Sequence, residues 1–153
     1  MPQITLKEVP DVLAPAFAEG DPAHDSRRQE QENVRVLEHL FGLIAAGRFE
    51  ELPDLFTPEI TFELAAPPEL SWVREAAGPE AVAAAIAANF RSVREQRPEL
   101  LSLVAQGDTV MLMGREEGRH ARTGEPYRVL VAQQYTFSDG RLAAFRSTAC
   151  MHP

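Results

Sequence analysis

Residues 131–150, VAQQYTFSDGRLAAFRSTAC, contain the pattern that decides the fold. Two alternating apolar runs flank Asp139-Gly140, a dipeptide that favours the tight turn of a β-hairpin. Gln133 and Gln134 stand in the middle of the first run, where a buried strand usually carries Val or Ile. Because neighbouring side chains on a strand point to opposite faces, one of the two amides must face the interior.

Two hairpin registers are compatible with this turn. A two-residue turn places Gln133 opposite Arg146, whereas a three-residue turn with a bulge at Gly140 places it opposite Phe145. Phe145 suits an interior better than Arg146 does, so we expect the bulged turn. The inner face then carries Val131, Gln133, Tyr135, Ala143, Phe145, Ser147 and Ala149. The outer face carries Ala132, Gln134, Thr136, Ala144, Arg146, Thr148 and Cys150.

The segments before this hairpin predict more strands and, ahead of them, three helices. Strands with period-two alternation are expected at about 60–64, 99–106, 109–121, 126–137 and 141–150. The first helix is expected between a capping box of Ser26 with Gln29 and a stop at Gly47. A second helix is expected over 49–56, and a third starts at Pro79 and extends through 81–95. This order predicts an α+β domain in which helices cover one face of a curved antiparallel sheet.

Composition sets the class of protein. The 153 residues favour one domain, expected over 26–150, preceded by an extended, proline-containing arm over 1–25. The net charge of −8 argues against a nucleic-acid partner. The single cysteine, Cys150, excludes an intrachain disulfide, and no apolar stretch is long enough for a membrane span. The start of the chain lacks signal-peptide features, so we expect a cytoplasmic location.

Candidate chemistry centres on the inward amide. Gln133 could bond Tyr135, Ser147 or a buried water, or it could contact a ligand, and both interpretations stay open. On the preceding strand, Glu116 and His120 alternate with glycines on the face of Leu112, a composition that suits a cavity wall. His120 is the candidate proton carrier, although a histidine at a strand end more often makes a solvent or backbone contact. No residues form a metal-ligand cluster in the sequence.

The stretches NVRVLEHLFGLIAAGRFEELPDLFTPEITFEL, GPEAVAAAIAANF and TGEPYRVLVAQQYTFSDGRLAAFRSTA resemble a SnoaL-like domain of the nuclear transport factor 2-like superfamily. The resemblance covers about residues 30–150 and implies a cone-shaped curved sheet around a long helix, with a pocket at the open end. Relatives include polyketide cyclases, ketosteroid isomerases, epoxide hydrolases, dehydratases and non-catalytic binders. Carried over by position, the isomerase's catalytic groups fall on Leu40, Leu64 and Gln133. The cyclase's acidic residue falls on Ser147, while its strand histidine matches His120.

We therefore expect a protein that binds a small, largely apolar or carbonyl-containing molecule in this pocket. If the protein is an enzyme, we expect cofactor-free acid–base chemistry with no bound metal, in which His120 is the catalytic proton carrier and Gln133 and Tyr135 are oxyanion donors. The predicted ligand contacts are Gln133, Tyr135, Ser147, Phe145, Val131, Glu116, Phe62, Trp72 and Leu40. The alternative is a non-catalytic binding or dimerisation module whose cavity is filled by its own side chains. A homodimer through the outer sheet face is expected in either case, because relatives that this chain resembles commonly dimerise there.

Overall fold

The structure, a computed structural model, describes residues 23–68, 70 and 73–152, which form helices packed on one six-stranded sheet. The helices are α1 (Ala23–Ala45), a 3-10 helix (Phe49–Leu55) and α2 (Pro79–Arg91). The strands are β1 (Phe56–Ala65), β2 (Glu75–Ala77), β3 (Val93–Gln106), β4 (Thr109–His120), β5 (Pro126–Ser138) and β6 (Arg141–Met151). The predicted α+β class, with three helices on the sheet, is confirmed.

The strands lie in the order β2-β1-β6-β5-β4-β3. Strands β3 to β6 form the predicted antiparallel meander, but β1 runs parallel to β6, with Phe62 opposite Phe145. The sheet is therefore mixed and not wholly antiparallel as predicted. The apolar alternation of β1 identifies its buried face but carries no information about the direction of its neighbour. The short strand β2, which is not among the predicted strands, pairs antiparallel with β1.

The β5–β6 hairpin differs from the expected register but keeps the expected faces. Its turn has two residues, Asp139 at φ 50° and Gly140 at φ 77°, the left-handed pair that such a turn requires. A bulge further along β6 leaves Ala143 without a cross-strand partner. Gln133 therefore lies opposite Ser147, and the prediction of a three-residue turn is wrong. The observed partner of Gln133 lies two residues beyond the predicted one, Phe145. Because two is an even number, Gln133 still shares the inner face with Ser147.

Helix α1 ends as predicted but begins earlier. Gly47 adopts φ 71°, and the N–H of Arg48 donates to the carbonyl of Leu43 at 2.9 Å, which closes the helix end. Ser26 is not the N-cap: it lies inside the helix, where its hydroxyl donates to Glu30 Oε1 at 3.0 Å. Residues 1–22 of the predicted arm lie outside the described residues, and its last three positions, 23–25, belong to α1. None of the described helices is both long and apolar enough to cross a membrane.

Helix α2 begins at Pro79 as predicted but ends at Arg91. Residues 93–95, predicted to be helical, instead open the long edge strand β3. Irregularities between Arg94 and Arg97 and a positive φ of 55° at Glu95 mark this start. An edge strand can accommodate Pro98, because the missing N–H of a proline costs no ladder bond on the unpaired side.

A polar clamp positions α1 across the inner face of the sheet. The Glu30 carboxylate accepts a bond from the Gly107 N–H at 2.9 Å, and the Asn33 amide donates to the Gly107 carbonyl at 3.3 Å. Asn33 is only 1% exposed, so this turn satisfies a buried amide. Beyond this anchor, Leu37 and Leu40 of α1 are buried in the core, whereas the next apolar residue of the helix, Phe41, is 39% exposed. The helix therefore does not fill the space above the sheet.

Candidate functional site

A cavity of about 750 Å³ lies between α1, α2 and the inner face of the sheet. A volume of this order is typical of sites that bury small molecules. Its wall is mainly aliphatic and aromatic and includes Leu37, Leu40, Phe41, Ile44, Phe62, Leu64, Ile86, Phe90, Leu103 and Leu112. Polar side chains reach the wall in only a few places.

Four aromatic rings form a continuous row along one wall of the cavity. The Tyr135 and Phe145 rings stack at 4.6 Å with an interplanar angle of 7°. Phe62 extends the row from Phe145 at 5.0 Å, and Phe41 meets Tyr135 edge-on at 6.1 Å. The row joins β1, β6 and β5 to α1, so these elements present one rigid apolar surface.

The inward amide predicted at Gln133 is the centre of a chain of hydrogen bonds. The hydroxyl of Tyr135, a residue only 1% exposed, donates to Gln133 Oε1 at 2.8 Å. Gln133 Nε2 in turn donates to Ser147 Oγ at 3.3 Å. Burial raises the pKa of Tyr135 strongly, so its phenol stays protonated and remains a donor. Gln133 and Ser147 both line the cavity, and the amide is therefore structural and accessible at the same time.

A second polar group, centred on Glu116, lies further along the sheet. Glu116 is on the cavity wall, and its Oε1 accepts bonds from Gln96 Nε2 at 3.2 Å and from the Tyr127 hydroxyl. Burial, and then the hydrogen bond to Glu116, raise the pKa of Tyr127 strongly. The phenol is thus held as a donor to the carboxylate. With Oε1 occupied, Oε2 is the oxygen of Glu116 left to meet a bound molecule.

Gly118 makes room for this arrangement. It lies opposite Tyr127 on the β4–β5 ladder, and a Cβ at this position would stand 2.7 Å from the Tyr127 hydroxyl oxygen and 2.9 Å from two ring carbons. A side chain here would displace the ring. The glycine is therefore required by the close approach of Tyr127, which brings the phenol to Glu116.

Charged residues stand where the cavity meets solvent. Glu99 and Arg115 line it and form an ion pair, with Arg115 Nε 2.7 Å from Glu99 Oε2. The hydrogen bond to Glu99 raises the pKa of Arg115. Glu38 of α1 also lines the cavity. Across the described ranges, no group of three His, Cys, Asp or Glu side chains is placed to hold a metal ion.

Eight of the predicted ligand contacts lie together on the cavity wall. They are Leu40, Phe62, Glu116, Val131, Gln133, Tyr135, Phe145 and Ser147. Trp72, the ninth, lies outside the described residues. The structure thus gathers residues from α1 and four strands around one space, while their contact with a ligand stays a prediction.

His120, the predicted proton carrier, is not among the residues that line the cavity. It ends β4, where its backbone N–H donates to the carbonyl of Glu125 at 2.9 Å. Its ring lies 5.8 Å from the ring of Tyr127, whose hydroxyl meets Glu116. The residue is therefore next to the second polar group but off the cavity wall, whereas Glu116 lies on the wall as predicted.

Sequence reasoning missed Tyr127 and Gln96, which fix the carboxylate of Glu116. A signal for Tyr127 was present, because the Thr123-Gly124 turn pairs β4 with β5 and brings Gly118 opposite a tyrosine. A glycine facing an aromatic residue across a ladder often marks a close approach. Gln96 gave no such signal, since it lies between the predicted helix over 81–95 and the predicted strand over 99–106.

Comparisons with known proteins agree with this architecture. The family model of the SnoaL-like domain matches residues 37–145, which is most of the chain. No curated protein sequence is significantly similar to the chain. The match spans the cavity wall from α1 to β6, so the predicted resemblance and its fold are confirmed.

Solved structures with the same fold come from several bacteria. A nuclear transport factor 2-like protein of Burkholderia xenovorans LB400 superposes with a TM-score of 0.66 at 19% identity, over 78% of this chain and 90% of that one. A proposed SnoaL-like polyketide cyclase of Jannaschia sp. CCS1 gives 0.67 at 17% identity, over 85% and 90%. An LEH-like epoxide hydrolase of M. tuberculosis gives 0.60 at 13% identity, over 78% and 84%. At these identities the likeness concerns the fold alone.

Proposed function

The chain belongs to the SnoaL-like domain family of the nuclear transport factor 2-like superfamily, and from this premise we propose that it binds a small, largely apolar molecule in its cavity. The observation that carries the proposal is an unfilled apolar space of about 750 Å³. Protein interiors are normally close-packed, because each empty contact forfeits dispersion energy. A bound apolar molecule would restore these contacts and cover the ring of Phe41. The alternative, a module whose own side chains fill the cavity, is disfavoured because the side chains of residues 26–68, 70 and 73–152 leave this space open.

Blocking the middle of the cavity tests binding. Val131 lines the wall, opposite Gly114 on one side and Ala149 on the other, so Val131→Phe should fill space that a ligand needs. The probe is N-phenyl-1-naphthylamine, a neutral dye whose fluorescence rises in apolar sites. We expect saturable binding to the wild type and an affinity at least ~10-fold lower for Val131→Phe.

The matched control for this experiment is Leu130→Phe. Leu130 is the neighbouring residue on β5 and lies opposite Arg115 and Cys150, outside the cavity wall. This variant should bind the dye as the wild type does. Equal affinities of the wild type and Val131→Phe, or no saturable binding to the wild type, would contradict the proposal.

A second function, acid–base chemistry on a bound carbonyl compound, is favoured by Glu116. Its carboxylate lies on a largely apolar wall and is fixed by Gln96 and Tyr127, as a proton carrier must be. Gln133 and Tyr135, predicted as oxyanion donors, lie on the wall some distance along the sheet, and the Tyr135 proton is already directed to Gln133. These two residues therefore bind and orient the distal part of the molecule, and the chemistry belongs to Glu116.

Proton exchange measures this chemistry without knowledge of the natural substrate. In D₂O, a base that removes an α-proton of the neutral ketone 2-tetralone exchanges it for deuterium, which proton NMR records. We expect exchange catalysed by the wild type and a reduction of about 100-fold in Glu116→Gln, the scale of one general base. Glu117→Gln is the control, since Glu117 is the next residue of β4 and pairs with Arg128 away from the cavity. Catalysed exchange that is unchanged in Glu116→Gln would contradict the role of Glu116, and exchange in the wild type no faster than without protein, with dye binding intact, would leave a non-catalytic binder.

We also propose that two copies associate through the outer sheet face. Large apolar residues lie exposed on adjacent strands of this face: Val104 is 63% exposed and its partner Met111 is 50% exposed. Ala132, opposite Met113 and Thr148, gives the patch a flat centre. A two-fold contact between identical patches would bury these residues, and a cluster of this kind on a surface is typical of an interface.

Light scattering should give twice the 16.9 kDa mass of one chain at tens of micromolar protein. A large charged residue at the centre of the patch, Ala132→Arg, should yield the single-chain mass, because two guanidinium groups would meet across the two-fold axis. Ser138→Arg, at the exposed end of the hairpin, should leave the dimer intact. A wild-type mass near that of one chain would contradict the assembly.

A further inference from the structure

We infer that the cavity selects an elongated molecule that carries a hydrogen-bond acceptor at one end, a hydrogen-bond donor at the other, and no negative charge. This inference rests on the proposed binding function and adds the chemical class of the ligand to it. It follows from the direction of the two hydrogen-bond groups on the wall, their separation along the sheet, and the charges around them.

The Ser147 end offers a donor. Tyr135 is buried and, among the described residues, its hydroxyl has Gln133 as its acceptor, so the amide must present Oε1 to Tyr135 and Nε2 to Ser147. If the amide were turned over, the Tyr135 proton would be buried without an acceptor, which is costly. Ser147 Oγ therefore accepts from Gln133, and its own proton is free to donate into the cavity. A ligand must bring an acceptor, such as a carbonyl oxygen, to this end.

The Glu116 end has the opposite polarity. Gln96 and Tyr127 both donate to Oε1, as to an ionised carboxylate, and a carboxylate can only accept. The remaining oxygen, Oε2, therefore calls for a donor from the ligand, such as a hydroxyl or an amine. A ligand with acceptors at both ends would leave Oε2 without a donor and would place two acceptors against each other.

The two ends are separated by four residues along the sheet. Gln133 lies opposite Leu112 on β4, and Glu116 follows Leu112 by four positions on the same inward face. At a rise of roughly 3.3 Å per residue this corresponds to about 13 Å between backbone positions. The side chains shorten the gap, and Val131 and Gly114 form the apolar stretch between them. A molecule the size of two fused or linked rings would span it.

The charges on the wall exclude anions. Within the described part of the chain, three carboxylates, those of Glu38, Glu99 and Glu116, line this space with a single guanidinium, that of Arg115. Arg115 is already paired with Glu99 at 2.7 Å. A ligand carboxylate or phosphate near Glu116 would meet a like charge in a largely apolar surrounding, where repulsion is weakly screened. Neutral or cationic molecules meet no such penalty.

Four rigid biphenyl probes test the class. They are 4-acetyl-4′-hydroxybiphenyl, its 4′-methoxy analogue without the donor, its 4-ethyl analogue without the acceptor, and 4′-acetylbiphenyl-4-carboxylate. Dissociation constants are measured by displacement of N-phenyl-1-naphthylamine. We expect the hydroxy-ketone to bind at least ~10-fold tighter than either neutral analogue, a ratio that corresponds to one hydrogen bond to a charged or buried partner. The carboxylate should bind weakest.

Two variants assign each preference to its residue. In Ser147→Ala the affinity for the hydroxy-ketone should fall to that for the 4-ethyl analogue. In Glu116→Gln the preference for the hydroxy-ketone over its methoxy analogue should disappear. The affinity for the carboxylate probe should rise about 10-fold or more. Thr148→Ala and Glu117→Gln, the outward neighbours of these residues, should keep the wild-type order. The folded state of each variant is checked by circular dichroism before titration.

The outcomes separate this inference from the function on which it rests. If the dye binds in the cavity but the three neutral probes agree within about three-fold, the selection by polar ends is wrong while the binding function survives. Tightest binding of the carboxylate probe would likewise overturn the selection by polar ends. If neither the dye nor any probe binds the wild type, the binding function itself fails and the inference fails with it.

Discussion

The buried hydroxyl of Tyr135 is the constraint on which the site depends. This phenol stacks on Phe145 in the middle of the sheet, away from water, and so needs an acceptor within the protein. Gln133, two residues earlier on the same strand face, supplies that acceptor, which explains an amide where a β-branched residue would otherwise stand. Ser147 then completes the amide's bonding from the neighbouring strand. One buried polar atom thus accounts for the composition of three positions.

The same arrangement keeps the space above it open. Tyr135 stacks on Phe145 and Phe62 extends the row at a tilt of 42°, while α1 crosses above them, held at one end by the bonds of Glu30 and Asn33 to the Gly107 turn. Further along, Gly118 admits the Tyr127 ring beneath Glu116. The cavity is therefore bounded by groups that are fixed by their own bonds, and its two polar positions have defined directions.

Much of this arrangement could be predicted from the sequence, because alternation and turn residues act locally. The inward face of Gln133, Tyr135 and Ser147 was predicted from period-two alternation together with the preference of Phe145 over Arg146 for the interior, and it survived an error in the register. The register itself depended on a bulge at Ala143, which no turn residue marks. Residues 93–95 look helical because they continue the apolar spacing of α2, yet pairing with β4 prevails. His120 lies off the cavity wall whereas Glu116 lies on it, and this difference could not be predicted because it depends on the contact of Tyr127 with both residues across the strands.

The most direct test of the account is a double-mutant cycle on Tyr135 and Gln133, in which the unfolding free energy of each variant is measured by urea denaturation. Gln133→Leu should cost about 1–3 kcal/mol of unfolding free energy in the wild type, because it leaves the Tyr135 hydroxyl buried without an acceptor. In a Tyr135→Phe background the same change should cost little, giving a coupling of about 1 kcal/mol or more. If the two single changes add in the double variant, the hydroxyl does not depend on the amide, and the account of the site is contradicted.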